Sequence, residues 1–219
     1  MMPTNPQEEF WAGKEGEAYL KRNLSHLPGD GLRRRAPFFD LFDHIGNKDI
    51  SILEVGCNCG LNLAILQERG YTNLTGIDIG AAAVGAAKQK IPSARILEGS
   101  ILQLPFEDGE FDVVFSSGVL IHQNPAGALF QAMDEMYRCS NRYILGLEDF
   151  SDEMQNITYR NKQDFCWRGP YSHFWQDPGA YEWTDQHYRG LIPVDGHNWV
   201  REYYKFEKKN SDNKQPKSI

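Results

Sequence analysis

Ile50-Ser51-Ile52-Leu53-Glu54-Val55-Gly56-Cys57-Asn58-Cys59-Gly60 is the stretch on which the fold turns. Its first six residues are β-branched and apolar on both faces, as a central parallel strand covered by helices should be. The glycines that follow stand where a backbone must approach a ligand or take positive φ. Leu61 to Arg69 then reads as a helix, so a strand passes through a tight turn directly into a helix.

Downstream the alternation continues. Leu74 to Ile79 is a second strand, Ala81 to Lys90 an alanine-rich helix closed by Ile91-Pro92, and Ala94 to Leu97 a short third strand. Phe111 to Phe115 is a fourth strand, Pro125 to Cys139 a helix opening on its proline, and Tyr143 to Leu147 a fifth strand. Two closing strands are predicted near Gly190 to Val194 and Trp199 to Phe206. Upstream, Phe10 to Phe42 is helix-compatible except at Leu27-Pro28-Gly29-Asp30-Gly31, where proline and glycine demand a turn, so two helices precede the first strand. The pattern predicts an α/β fold with a Rossmann-like, doubly wound sheet of about seven strands, mostly parallel with the last antiparallel. Residues 1–49 form an N-terminal helical lid, 50–207 the main domain with an aromatic-rich insertion at about 148–189, and 208–219 a disordered tail. Residues 1–9 read as a second frayed, polar end.

Composition narrows the function. The chain has 219 residues, 41% of them hydrophobic and 24% charged, enough for one well-buried domain. A formal net charge of -7 argues against a nucleic-acid partner, whose phosphates would call for clustered Lys and Arg. There is no signal sequence and no apolar window long enough to span a bilayer, which points to a cytoplasmic protein without a membrane partner. Cys57, Cys59, Cys139 and Cys166 lack zinc spacing; no metal site is expected, and Cys57 and Cys59 read as small loop-filling side chains.

Asp78 ends the second strand 22 residues after Gly56, where such sheets place an acid that accepts hydrogen bonds from both ribose hydroxyls. Turn and acid together predict an adenosyl cofactor. A dinucleotide fingerprint would need glycine at positions 58 and 61, which are Asn and Leu, so a nicotinamide-dependent oxidoreductase is disfavoured. A non-catalytic binding protein of the same fold is the remaining alternative.

Glu54-x-Gly56-x-x-x-Gly60, Asp78, Glu98-Gly99-Ser100-Ile101 and Leu104 to Val114 resemble the successive motifs of class I methyltransferases. That resemblance implies S-adenosylmethionine as cofactor and S-adenosylhomocysteine as product. It places Glu54 and the Gly56 to Gly60 turn, with Asn58, near the methionyl part, Asp78 at the ribose, and Ser100 with Ile101 at the adenine. Ile79 and Ser117, beside the ends of the second and fourth strands, complete the cofactor set. Trp11, Tyr19 and Arg22 lie in the helix that such enzymes fold over the cofactor; simple packing onto the sheet is the other reading. Glu9 to Asn23, Gly118 to His122 and Cys139 to Leu145 resemble, more narrowly, the methylases associated with pseudaminic acid biosynthesis.

Methyl transfer is an in-line displacement, so geometry matters more than acid or base groups. His122, just past the fourth strand, is the candidate general base; a helix-capping role for the helix at Pro125 is the alternative. Tyr159, Arg160, Trp167 and Arg168 are candidates for the acceptor pocket, where aromatic walls and a few polar groups suit a small molecule. Arg33-Arg34-Arg35 reads either as an anion site or, by preference, as a solvated helix face. The predicted partner is a small-molecule methyl acceptor, taken by a monomer or homodimer.

Overall fold

In the computed structural model the described residues are 5–25 and 28–209, with side chains left out from 25 to 34. Three helices come first: α1 (Pro6–Ala12), α2 (Lys14–Ser25) and α3 (Pro28–Asp43). The alternating part runs β1 (Ile52–Val55), α4 (Leu61–Glu68), β2 (Leu74–Asp78), α5 (Ala81–Lys90), β3 (Arg95–Glu98), β4 (Phe111–Ser117), a 3-10 turn at Leu120–His122, α6 (Ala128–Cys139) and β5 (Ser140–Phe150). β6 (Gln155–Asn156) and β7 (Trp167–Arg168) pair with each other, α7 (Tyr171–Phe174) is a single turn, and β8 (Trp183–Pro193) and β9 (Val200–Lys208) close the chain.

The main sheet has the order β3-β2-β1-β4-β5-β9-β8. β1 to β5 are mutually parallel, while β9 runs antiparallel to β5 and β8 antiparallel to β9. Strand order reverses between β1 and β4, and at such a switch point the connections diverge to opposite faces and leave a crevice beyond the carboxyl ends of the strands. The register aligns those ends: Val55 pairs with Ile77 on one side and Ser116 on the other. The turn after β1, Asp78 and Ser117 therefore open onto one crevice.

The sheet separates two apolar layers. Leu53, Val55 and Ile144 join α6, α7 and Tyr204 on one face; Ile52, Leu145 and Tyr203 join α3, α4 and α5 on the other. α6 buries Leu129, Ala132, Met133, Met136 and Cys139, the i, i+3, i+4, i+7 stripe of a helix laid on a sheet. Full burial of each large side chain in these layers is worth about 1.5–3 kcal/mol.

Several element boundaries differ from the sequence reading. Three helices precede β1 because the chain is extended at Gly13, and a Cβ on Gly16 would stand 1.8 Å from the Trp11 carbonyl oxygen. Residues 5–9 are not frayed: Asn5 caps α1 by accepting from Glu8 N–H at 2.9 Å, Pro6 occupies the first turn, and Gln7 and Glu8 are buried. α3 starts at Pro28, a residue tolerated in a first helical turn, so Gly29, Asp30 and Gly31 are helical. α6 starts at Ala128 and not at Pro125.

β5 reaches Phe150 because β9 pairs with it from Tyr143 to Phe150, and β8 begins at Trp183. Residues 151–182 connect these two strands. Lys208 belongs to β9, its Nζ donating to the Tyr137 and Ser140 carbonyls at 3.1 and 2.8 Å. The rest of the expected tail, from residue 210, lies outside the described residues, as do residues 1–4.

Candidate functional site

A cavity of about 220 Å³ fills the crevice. Its floor is the turn after β1, its sides are the ends of β2 and β4, and its roof is α1 and α2. The turn owes its shape to three left-handed residues, Gly56 (φ 66°), Asn58 (φ 46°) and Gly60 (φ 74°). A Cβ at Gly56 would lie 2.5 Å from Val119 Cγ2, so that position also brings β1 and the β4 loop together. Asn is among the few residues that adopt this conformation readily.

Asp78 is locked onto the turn. One oxygen accepts from Asn58 N–H and the other from Gly80 N–H, each at 2.8 Å. Burial raises its pKa, and these two backbone bonds act against the rise. A carboxylate oxygen has more than one lone-pair site, so both can still accept from a ligand hydroxyl.

Glu54 lies deeper, 1% exposed at the end of β1. Its Oε1 accepts from Asn62 Nδ2 at 2.6 Å, while Oε2 is buried with no hydrogen-bond partner among the described residues. Burial pushes its pKa up to about 8. Trp11 Nε1 and Gln123 Oε1, of two further residues that line the cavity, are also buried with no hydrogen-bond partner among the described residues. An unsatisfied buried polar group costs about 1–3 kcal/mol, so three around one cavity fit a ligand that supplies a donor to each oxygen and an acceptor to the indole.

His122 ends the 3-10 turn, and its Nδ1 lies 2.7 Å from the Phe165 carbonyl oxygen. That oxygen can only accept, so Nδ1 carries the hydrogen and Nε2 keeps its lone pair. Removal from solvent lowers the imidazole pKa to about 4, leaving it neutral at pH 7. Trp11 and Tyr159 flank the ring, with centroids at 4.5 and 5.1 Å. His122 bonds to the insertion and does not cap α6.

The segment carrying His122 is held by a residue that sequence reasoning passed over. Glu148, fully buried near the end of β5, accepts from Ser116 Oγ at 2.8 Å and from the N–H groups of Val119, Leu120 and Ile121 at 3.1 to 3.4 Å. Burial brings its pKa to about 7 against the pull of those donors. An acid near the end of a buried strand was the available signal; its partners are 27 to 32 residues away.

Of the predicted cofactor residues, Trp11, Tyr19, Glu54, Gly56, Asn58, Asp78, Ile79, Ile101 and Ser117 line the cavity. Gly60 sits behind it as the N-cap of α4. Ser100 is turned away, its hydroxyl bonded to the Glu8 carboxylate and accepting from Leu102 N–H. Arg22 pairs with Glu15 at 2.7 Å, and Arg160 approaches the same carboxylate at 3.5 Å. Of the acceptor candidates, Tyr159 meets the His122 ring edge to face, Trp167 is buried in β7, and Arg168 lies over the Trp199 ring at 4.4 Å. Arg160 lies over the Tyr159 ring at 5.7 Å, and Tyr159 packs against the core layer that contains Cys166, the chain neighbour of Trp167. Arg33 and Arg34 fall among the undescribed side chains, but Arg35 lines the cavity. Among the described residues no three His, Cys, Asp or Glu gather to hold a metal, and no helix is long and apolar enough to cross a membrane.

The comparisons fall on this framework. Residues 53–142, from β1 to the start of β5, match the family model described as a methyltransferase domain. An uncharacterized methyltransferase of Synechocystis is 36% identical over 75 residues, covering 34% of this chain and 35% of the relative. A malonyl-(acyl-carrier protein) O-methyltransferase of Ilyobacter polytropus is 27% identical over 136 residues, 61% of this chain and 47% of the relative. The alignments thus span about a third to a half of these curated relatives. Over nearly the whole length, the fold matches a Burkholderia thailandensis 1,6-didemethyltoxoflavin-N1-methyltransferase bound to its substrate and S-adenosylhomocysteine, with TM-score 0.72, 15% identity, and 96% and 93% of the two chains covered.

Proposed function

We propose that this chain is an S-adenosylmethionine-dependent methyltransferase that methylates an oxygen or nitrogen of a small polar metabolite. The observation that carries the reading is the pair of acids on one cavity: Asp78, fixed by two backbone N–H groups, and Glu54, with one buried oxygen unpaired. An S-adenosyl ligand has a ribose diol for the first and an ammonium for the second. The matched methyltransferase domain and a neighbour of the same fold crystallised with S-adenosylhomocysteine support the same assignment.

When bound, the cofactor supplies an electrophilic methyl on sulfur, and the protein's part is to hold the acceptor in line with it and exclude water. Trp11 and Tyr19 close the cavity from above. His122 Nε2 offers a lone pair to an acceptor N–H or O–H; with a pKa of about 4 it orients that group and stores no proton at pH 7. The narrower resemblance of Glu9 to Asn23 and Gly118 to His122 to pseudaminic acid-associated methylases favours a sugar or amino-acid derivative as acceptor.

Calorimetric titration with S-adenosylmethionine, S-adenosylhomocysteine and NAD tests the class. Binding of both adenosyl ligands without NAD is the expected result. Preference for NAD would replace methyl transfer by hydride transfer.

A further inference from the structure

The cavity reaches Ser117 and Gly118 at the carboxyl end of β4. The neighbouring strand, β5, runs on past Leu147, the partner of Ser117, as far as Phe150, and its Asp149 stands opposite Arg201 of β9. Asp149 Oδ1 accepts from Arg201 Nε at 2.9 Å, and its backbone carbonyl accepts from Gly169 N–H at 3.2 Å, which brings β7 and Arg168 to the same end of the sheet. Arg168 lies over the Trp199 ring at 4.4 Å, and Arg201 over the same ring at 5.8 Å. β7 also packs against the 3-10 turn that ends in His122. Arg35, on the cavity wall and donating to Asn62 Oδ1 at 3.0 Å, feels the like charge of Arg201.

Such a gathering of guanidinium groups stands out in a chain with 30 acidic residues against 23 lysines and arginines. Like charges repel, so each needs its own compensation. Glu54 attracts Arg35, and Asp149 holds Arg201. Arg168 makes no ion pair among the described residues, and its Nε is buried with no hydrogen-bond partner there. The indole of Trp199 attracts the charge but supplies no oxygen to the N–H groups. A buried donor on a charged group is costly to leave unused, and a planar guanidinium fork suits a carboxylate or a phosphate better than any other partner. An added oxyanion would use the Arg168 donor and offset the repulsion at Arg201 together.

We propose that Arg168 and Arg201, beside Trp199, bind an oxyanion group of the methyl acceptor, so that the substrate is a metabolite carrying a carboxylate or a phosphate and not a neutral one. The word acceptor rests on the methyltransferase reading; the anion site does not. Anchored there, the acceptor approaches the cavity past His122, whose turn is packed against β7, and Arg35 extends the positive field to the cavity wall.

The test loads the protein with S-adenosylhomocysteine and titrates it with sodium acetate and with sodium phosphate, the ionic strength held constant with sodium chloride. NMR at the arginine Nε–H groups reads the result, the Arg168 resonance being assigned by its absence from Arg168→Gln. A saturable shift of that resonance is expected, with an affinity that Arg201→Gln weakens by about ten- to a hundredfold, the effect of losing one charge-assisted hydrogen bond. A response to acetate alone supports a carboxylate on the acceptor, to phosphate alone a phosphate, and to both a site open to either. A drift without saturation that matches the surface Arg95 would be an ionic effect only and overturns the proposal, as does a saturable shift that Arg201→Gln leaves unchanged. Neither arginine lines the cofactor cavity, so both variants should keep the wild-type affinity for S-adenosylhomocysteine, which shows that they are folded. Where one does not fold, the wild-type curve, saturable or not, still decides the site. Failure of the wild type to bind S-adenosylhomocysteine would bring down the methyltransferase reading, and the same titration of the unloaded protein would then decide the anion site alone.

Discussion

Glu54 and Glu148 stand near the ends of two strands of the same sheet, both fully buried and both with raised pKa values, about 8 and about 7. Their surroundings differ. Glu148 is surrounded by donors: a hydroxyl and three consecutive N–H groups turn toward it, and the segment from Val119 to His122 takes its shape from them. Glu54, which lines the cavity, has one amide on one oxygen and, on the other, no hydrogen-bond partner among the described residues. Equal burial therefore serves two ends. A carboxylate whose bonds are all internal organises the protein, whereas one left incomplete is available to a ligand.

The largest effect is expected at the satisfied acid. Glu148→Ala leaves Ser116 Oγ and three backbone donors without their acceptor, and should cost about 3 kcal/mol or more in urea unfolding. It should also loosen the turn that carries His122. A loss below 1 kcal/mol would mean that these bonds do not hold the loop, and the contrast with Glu54 would fail.

At the unsatisfied acid the sign reverses. A carboxyl whose folded pKa is raised from 4.5 to about 8 binds a proton more tightly in the folded state, so its contribution to stability falls as pH rises between those values. Glu54→Gln removes that penalty. Without ligand, the variant should melt higher than the wild type by a margin that grows from pH 4.5 to about 8 and then levels off. The same substitution should weaken S-adenosylhomocysteine, so stability and binding move in opposite directions. Parallel losses of both would place Glu54 with Glu148 as a structural acid.

Legibility in the sequence follows the same division. From residue 50 to 147 the strands carry short apolar runs and most connections contain glycine or proline, so β1 to β5, α4 and α5 could be located, and Asp78 read from its distance to Gly56. β8 was harder to place because most of its residues are exposed and its apolar signal is weak before Gly190. The break between α1 and α2 depends on Gly16 meeting the Trp11 carbonyl, a contact created only when the helices pack. Glu148 was missed because its partners lie 27 to 32 residues away, and Arg35 was read by preference as a solvated face because its partner Asn62 lies 27 residues away; neither residue type shows what the fold will bring beside it.

The most direct test of the central claim, that this crevice holds the ribose of an adenosyl cofactor, is titration of folded Asp78→Ala with S-adenosylhomocysteine beside the wild type. Losing two hydrogen bonds to a charged acceptor should weaken binding by about 2 to 4 kcal/mol. An unchanged affinity in a variant with the wild-type circular dichroism spectrum would contradict it.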